Sequence, residues 1–107
     1  MLMEHGDNID VALAYAQTAR EQSAEDPHIA DTLGWIYYKK NAYLKAVSLL
    51  KEAAEKLPSD PVVQYHYGMA QNKNGNQDAA KKILAASLKL NPNYPGADEA
   101  RKVLSQQ

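Results

Sequence analysis

Residues 26–61 read DPHIADTLGWIYYKKNAYLKAVSLLKEAAEKLPSDP, and residues 60–95 read DPVVQYHYGMAQNKNGNQDAAKKILAASLKLNPNYP. Laid over one another, they align Asp26-Pro27 with Asp60-Pro61, Gly34 with Gly68, Ala46 with Ala80, Leu50 with Leu84 and Pro58 with Pro92. Each pair is 34 residues apart, and Pro95 continues the series begun by Pro27 and Pro61. One step upstream, Ala12, Ala16 and Ala19 stand where Ala46, Leu50 and Ala53 stand later, so a partial repeat precedes two complete ones. A fixed period of this length marks an architecture in which each unit buries its apolar face by stacking on the next.

Each period reads as two helices. Asp caps free amide protons and Pro, with its fixed φ, suits the first helical position, so Asp26-Pro27 and Asp60-Pro61 open the first helix. Pro58 and Pro92 close the second, because neither can continue a helix interior. Asn41 and the run Asn74-Gly75-Asn76 supply the turns between. In the second helix, Ala46, Leu49, Leu50, Ala53, Ala54 and Leu57 recur at helical spacing with Lys45, Lys51, Glu52 and Glu55 outside the stripe, so that face requires a neighbour. The spacing predicts helices near 8–23, 28–39, 43–56, 62–73, 77–90 and 96–105, with no strands. Gly34 and Gly68 fall inside helices, where Gly costs about 1 kcal/mol relative to Ala. Close crossing of paired helices offsets that cost.

Leu33-Gly34, Tyr37, Ala46, Leu50 and Pro58 resemble the tetratricopeptide repeat pattern. The chain departs from it with Ala30 at the place of the family's Trp, Leu50 at that of its Phe, and Gln71 after Tyr67-Gly68 where Tyr is expected. The resemblance implies an all-α fold, a right-handed superhelical stack of about six antiparallel helices. It divides 1–107 into the second half of a repeat (7–26), two repeats (27–60 and 61–94) and a C-terminal capping helix (95–107), whose Arg101-Lys102 suits a polar end. Asp31-Thr32-Leu33-Gly34-Trp35, and Tyr65-His66 before Gly68, also resemble C-terminal repeats of bacterial envelope and exopolysaccharide-associated members.

In the family the first helix of each hairpin lines the concave surface. Setting aside the packing positions Ala30, Leu33, Gly34, Tyr37 and their equivalents leaves a groove of His28, Asp31, Thr32, Trp35, Tyr38 and Lys39 from one repeat. The next repeat contributes Val62, Tyr65, His66, Met69, Asn72 and Lys73. Trp, Tyr and Met supply much of the energy and adaptability of interfaces, so this lining suits a protein or peptide ligand with apolar anchors. The competing reading is that Trp35, Tyr38 and Met69 fill the core, as aromatic stripes at helical spacing often do. Some family members clamp a terminal carboxylate with Lys, Asn and Arg; Asp31, Trp35, Thr32, Tyr65 and His66 stand at the corresponding places, so no such clamp is expected.

Other function classes find little in the sequence. Twelve Lys and Arg against thirteen Asp and Glu give a formal net charge of -1, which supplies no excess positive potential for nucleic acid. Lys39-Lys40 and Lys81-Lys82 read as solvated helix faces. No apolar run approaches the roughly 20 residues of a membrane span, so no membrane insertion is expected. Residues 1–5 show no export signal, and the absence of Cys leaves cytoplasm and periplasm or cell envelope both open. His28 with Asp31 is an i, i+3 pair, too few groups for a metal site, and no His with convergent carboxylates suggests catalysis; no cofactor is expected. His66 beside Tyr65 reads as a core-edge residue that could tune a complex by its charge. Val11, Ala12, Tyr15, Ala16 and Ala19 leave the first helix without the partner its register calls for, so the alternative function is self-association through that helix, at the end of a longer repeat protein.

Overall fold

The computed structural model describes residues 5–106, with side chains from residue 8 onward. Six helices follow one another: α1 (His5–Gln22), α2 (Pro27–Lys39), α3 (Tyr43–Lys56), α4 (Pro61–Lys73), α5 (Gln77–Leu90) and α6 (Ala97–Ser105). There is no strand among the described residues. The expected helices are all present, α1 beginning earlier than its apolar stripe suggests. The chain is an all-α stack in which α2 pairs with α3, α4 with α5, and each pair packs on the next.

The caps form as the sequence requires. The Asp26 carboxylate accepts from the His28 amide at 2.9 Å, and Asp60 accepts from the amides of Val62 and Val63 at 3.0 and 3.3 Å. Each cap of this kind contributes about 1 kcal/mol. The two hairpin turns repeat the same device. Asn41 (φ 67°) and Gly75 (φ 93°) occupy the left-handed region one period apart. The amide that follows each bonds back five residues, Ala42 to the Tyr37 carbonyl and Asn76 to that of Gln71, both at 2.9 Å. This is the Schellman closure, which satisfies carbonyls that the helix end would leave open.

Gly34 and Gly68 lie at the helix crossings. A Cβ on Gly34 would stand 2.7 Å from Leu50 Cγ, and one on Gly68 would stand 2.7 Å from both Leu84 Cγ and Cδ2. Leu50 and Leu84 are fully buried. The repeat register therefore places a Gly on the first helix against a Leu on the second in both hairpins, and the missing side chain is the space the Leu occupies.

The departures from the repeat pattern have structural partners. Gln71 is buried, yet it donates to the Tyr67 hydroxyl at 3.0 Å and accepts from the Asn76 amide group at 2.6 Å. Ser87, fully buried where the earlier repeat has Ala53, donates to the Leu84 carbonyl at 2.7 Å. That leaves its oxygen to accept from the Tyr94 hydroxyl at 2.6 Å, which pins the loop before α6 onto α5. Arg20 reaches from α1 to α3, where its two terminal nitrogens meet the Glu52 oxygens at 2.7 Å each. Hydrogen bonding to this guanidinium, against the opposing effect of burial, holds the Glu52 carboxyl below its ordinary range.

On α1, Ala16 is buried against the stack, whereas Val11 and Tyr15 are 56% and 75% exposed. The first helix thus keeps an outward apolar face, as its register implies.

Candidate functional site

The first helices bring their aromatic side chains into one row. The Trp35 indole is nearly parallel to the Tyr38 ring, with centroids 4.3 Å apart, and to the His66 imidazole, with centroids 4.0 Å apart. Two rings that close and that parallel cannot share a face of one indole without overlapping, so Tyr38 and His66 hold opposite faces. Tyr65 tilts against Trp35 at 5.7 Å and against Tyr94 at 5.6 Å, while Tyr43 tilts against Tyr38 at 5.7 Å. The row crosses from the start of α3, over α2 and α4, to the loop before α6. Such offset and tilted pairs contribute beyond the area they bury.

Asp31 and His66 lock the row across the two repeats. The carboxylate can only accept, so His66 Nδ1 carries the proton and donates to Asp31 Oδ1 at 2.8 Å. Both side chains are largely withdrawn from water, at 15% and 14% exposure. The i, i+3 pairing of His28 with Asp31 does not form: His28 is exposed, and the partner of Asp31 lies 35 residues on.

The twelve groove residues separate into three groups. His28, Thr32, Lys39 and Lys73 are exposed; Trp35, Tyr38, Val62 and Asn72 are half-buried, with the Asp31–His66 pair between them. Tyr65 and Met69 are not groove surface in the sense expected. Each is 8% exposed, packed with Leu84, Tyr94, Ala97, Ala100 and Val103, because α6 and its preceding loop close over that part of α4. Trp35, Tyr38 and Val62 pack against the rim of the same cluster, so the core-filling reading holds in part for them too. Sequence reasoning missed Tyr43 and Tyr94, which extend the row at either end. It also missed the Asp31–His66 contact, although a period of 34 places residues about one period apart on facing helices.

Burial governs the hydroxyls of the row. Tyr65 is pushed up to about 12, first by burial and then by the charges of Tyr38, Glu99 and Tyr94. Tyr38 is raised by burial, then by Tyr43 and Glu99, and Tyr94 is raised by burial against the lowering effect of its bond to Ser87. A phenol raised in the folded chain keeps its proton where the unfolded chain, with an ordinary value near 10, has lost it. Stability from Tyr65 is therefore flat up to about pH 10 and falls between there and about pH 12, by at most roughly 1.4 kcal/mol per pH unit, and Tyr38 and Tyr94 act in the same direction. Urea midpoints measured across this range, alongside tyrosinate absorbance, check the prediction; a midpoint unchanged through pH 11 would contradict the burial of Tyr65.

Comparison with known proteins agrees with this architecture. A family model described as tetratricopeptide repeat matches residues 37–106. The chain belongs to the tetratricopeptide repeat family. It is 28% identical over 92 residues to the BBSome complex member BBS4 of Bos taurus and to that of Mus musculus, covering 86% of this chain and 18% of each relative. It is 23% identical over 100 residues to the general transcriptional corepressor ssn6 of Schizosaccharomyces pombe, covering 92% of this chain and 9% of that one. The chain thus spans less than a fifth of the length of these curated relatives. Among solved structures, MamA MSR-1 C2 superposes with a TM-score of 0.76 at 24% identity, over 91% of this chain and 54% of that one. Tetratricopeptide repeats generally mediate protein–protein interaction, and that is the class of function to which the fold points.

Proposed function

We propose that this protein is a non-catalytic interaction scaffold that holds a segment of a partner protein along the face shared by α2 and α4. The supporting observation is the aromatic row itself: Trp35 and Tyr38 are half-buried, held rigidly by Tyr43 and His66, and bordered by exposed His28, Thr32, Lys39 and Lys73. A rigid amphipathic ring with an exposed margin gives contact area at low entropic cost, and such anchors carry most of an interface's energy. The binding unit is 27–94, with 7–26 as the second half of a preceding repeat and 95–107 as a closing helix. The naming of one relative as a member of a complex fits a role inside a larger assembly. The resemblance of Asp31-Thr32-Leu33-Gly34-Trp35 to envelope-associated repeats makes a bacterial cell-envelope assembly one setting for it.

The test is a proton-nitrogen spectrum of labelled protein recorded against an array of synthetic decapeptides. Shifts centred on Trp35, Tyr38 and Asn72 are expected, and Trp35→Ala should weaken the best peptide roughly 30-fold, as loss of a central aromatic anchor does. Binding that leaves those resonances in place would move the site elsewhere.

Self-association is a second reading, favoured by the exposed Val11 and Tyr15 on α1. Light scattering at several concentrations, repeated with Tyr15→Lys, separates it from peptide binding: a dimer lost in that variant supports it, and a monomer at every concentration removes it.

A further inference from the structure

We infer that the cleft between the α3–α4 turn and the end of α5 is a second contact site, which takes an aliphatic side chain of a partner protein with a carboxylate beside it. It is an open cleft of about 440 Å³ lined by Pro58, Gln64, Ala86, Lys89 and Leu90. That volume is within the range of about 300–1,000 Å³ that ligand clefts occupy, and apolar walls with a few polar groups are their usual lining. The cleft shares no residue with the aromatic row or with the groove on α2 and α4.

The repeat itself shows what such a cleft holds. One period earlier, the same five places are Ala24, Ala30, Glu52, Glu55 and Lys56. There the Arg20 side chain lies between two of them: its guanidinium donates to the Ala24 carbonyl at 2.8 Å and to the two Glu52 oxygens at 2.7 Å each. The junction of α1 with the first hairpin is thus occupied by an aliphatic stem ending in a cation, and Glu52 supplies the carboxylate that holds its head. One period on from Arg20 stands Ala54, whose side chain stops at Cβ. The junction of the two hairpins therefore keeps the cleft and lacks the side chain that fills it.

The walls have changed together with the plug. Ala86 replaces Glu52, Lys89 replaces Glu55 and Leu90 replaces Lys56, so two acids and one base give way to one base alone. A cationic occupant like Arg20 has lost its counter-charge here and meets Lys89 instead. Lys89 makes no ion pair among the described residues, so its ammonium is open to an anion. Leu90 is 44% exposed and lines the cleft with Pro58 and Ala86, an apolar surface that a leucine-sized group would take out of water. The Gln64 amide nitrogen is already spent on the Ala54 and Leu57 carbonyls at 3.1 and 3.2 Å, which ties α4 to the end of α3 and fixes that side of the cleft. The matching occupant reverses the chemistry of Arg20, with an apolar anchor for the stem and a carboxylate for the guanidinium. In a protein that is Leu, Ile or Val next to Asp or Glu; the anchor supplies the affinity and the exposed ion pair sets the preference.

The experiment titrates N-acetyl-Leu-Glu-amide, N-acetyl-Leu-Lys-amide and hexanoate separately into the full labelled chain and follows its proton-nitrogen spectrum. Saturable shifts at the Gln64 side-chain amide and at the backbone of Ala86 and Leu90 are expected with the Leu-Glu compound, which should bind roughly three-fold more tightly than Leu-Lys. Lys89→Glu should reverse that order. Ala54→Arg with Ala86→Glu rebuilds the pair that occupies the earlier junction and should abolish the shifts. Leu90→Ser alters only an exposed wall, so it keeps the test open where the rebuilt pair does not fold, and it should weaken the Leu-Glu compound about five-fold. The inference is overturned by the absence of a saturable shift at these three residues, by equal or tighter binding of the Leu-Lys compound, or by full affinity in Leu90→Ser or in a folded rebuilt variant. Binding of hexanoate without the Leu-Glu compound would give the cleft to a free acid and overturn its assignment to a protein segment.

Discussion

Gly34→Leu and Gly68→Leu each lower the thermal midpoint of unfolding by roughly 10–20 °C, read by far-ultraviolet circular dichroism. A Cβ alone at Gly34 would lie 2.7 Å from Leu50 Cγ, 2.9 Å from its Cδ2 and 3.2 Å from Leu49 Cβ. Leu50 is fully buried and cannot swing away, so three further carbons must separate α2 from α3. Overpacking by a single group costs about 1–3 kcal/mol, and a side chain of this size stands at the upper end or beyond. The better helix propensity of Leu returns about 1 kcal/mol. A net loss near 3 kcal/mol gives the stated midpoint shift for a domain of this size. Gly68 meets Leu84 in the same way in the next hairpin, with Ile83 Cγ2 at 3.3 Å beside it. The two sites lie in separate hairpins, so the double variant should lose close to the sum. A midpoint left within a few degrees in either variant would mean that the paired helices do not cross at Gly.

The same two glycines explain why the hairpins are legible in the sequence. A residue that costs stability in a helix, repeated at a fixed interval with Leu50 and Leu84 in register, has one economical explanation, and the crossing supplies it. The caps at Asp26 and Asp60 and the turns at Asn41 and Gly75 are legible for the same reason: each is a local backbone requirement met by a residue type. The groove is legible only in outline. Whether Tyr65 and Met69 face a ligand depends on where α6 sits, and α6 carries neither an Asp-Pro start nor a Leu-Gly pair to fix its register. Its position is set by Tyr94 bonded to Ser87 and by Gly96 under the Tyr65 ring, contacts between segments that no periodicity relates. The Asp31–His66 bond belongs to an intermediate class. Its two positions are brought together by the period, but only the stacking on Trp35 selects that pairing over the adjacent His28.

Gly96→Val is the second large effect, and its comparison with Gly75→Val separates backbone strain from packing. Both glycines are left-handed, Gly75 at φ 93° and Gly96 at φ 100°, and a β-branched residue there is strained by about 1–2 kcal/mol or more. Around Gly75 a Cβ would meet nothing within 4 Å, so strain is its whole cost. At Gly96 the Cβ would lie 2.5 Å from Tyr65 Cε2 and 2.7 Å from its Cζ. That ring cannot retreat, because Trp35 stands on one side of it and Tyr94 on another. Gly96→Val should therefore lose about 3 kcal/mol or more, against roughly 1–2 kcal/mol for Gly75→Val, in urea unfolding at neutral pH. If the loss is instead taken up locally, α6 lifts from α4, and the Tyr65 hydroxyl then titrates near 10 like a free phenol in place of about 12. Tyrosinate absorbance reads that change even where the midpoint moves little. Equal losses at the two positions, with the late-titrating tyrosine retained, would mean that Gly96 does not hold the closing helix over the aromatic row.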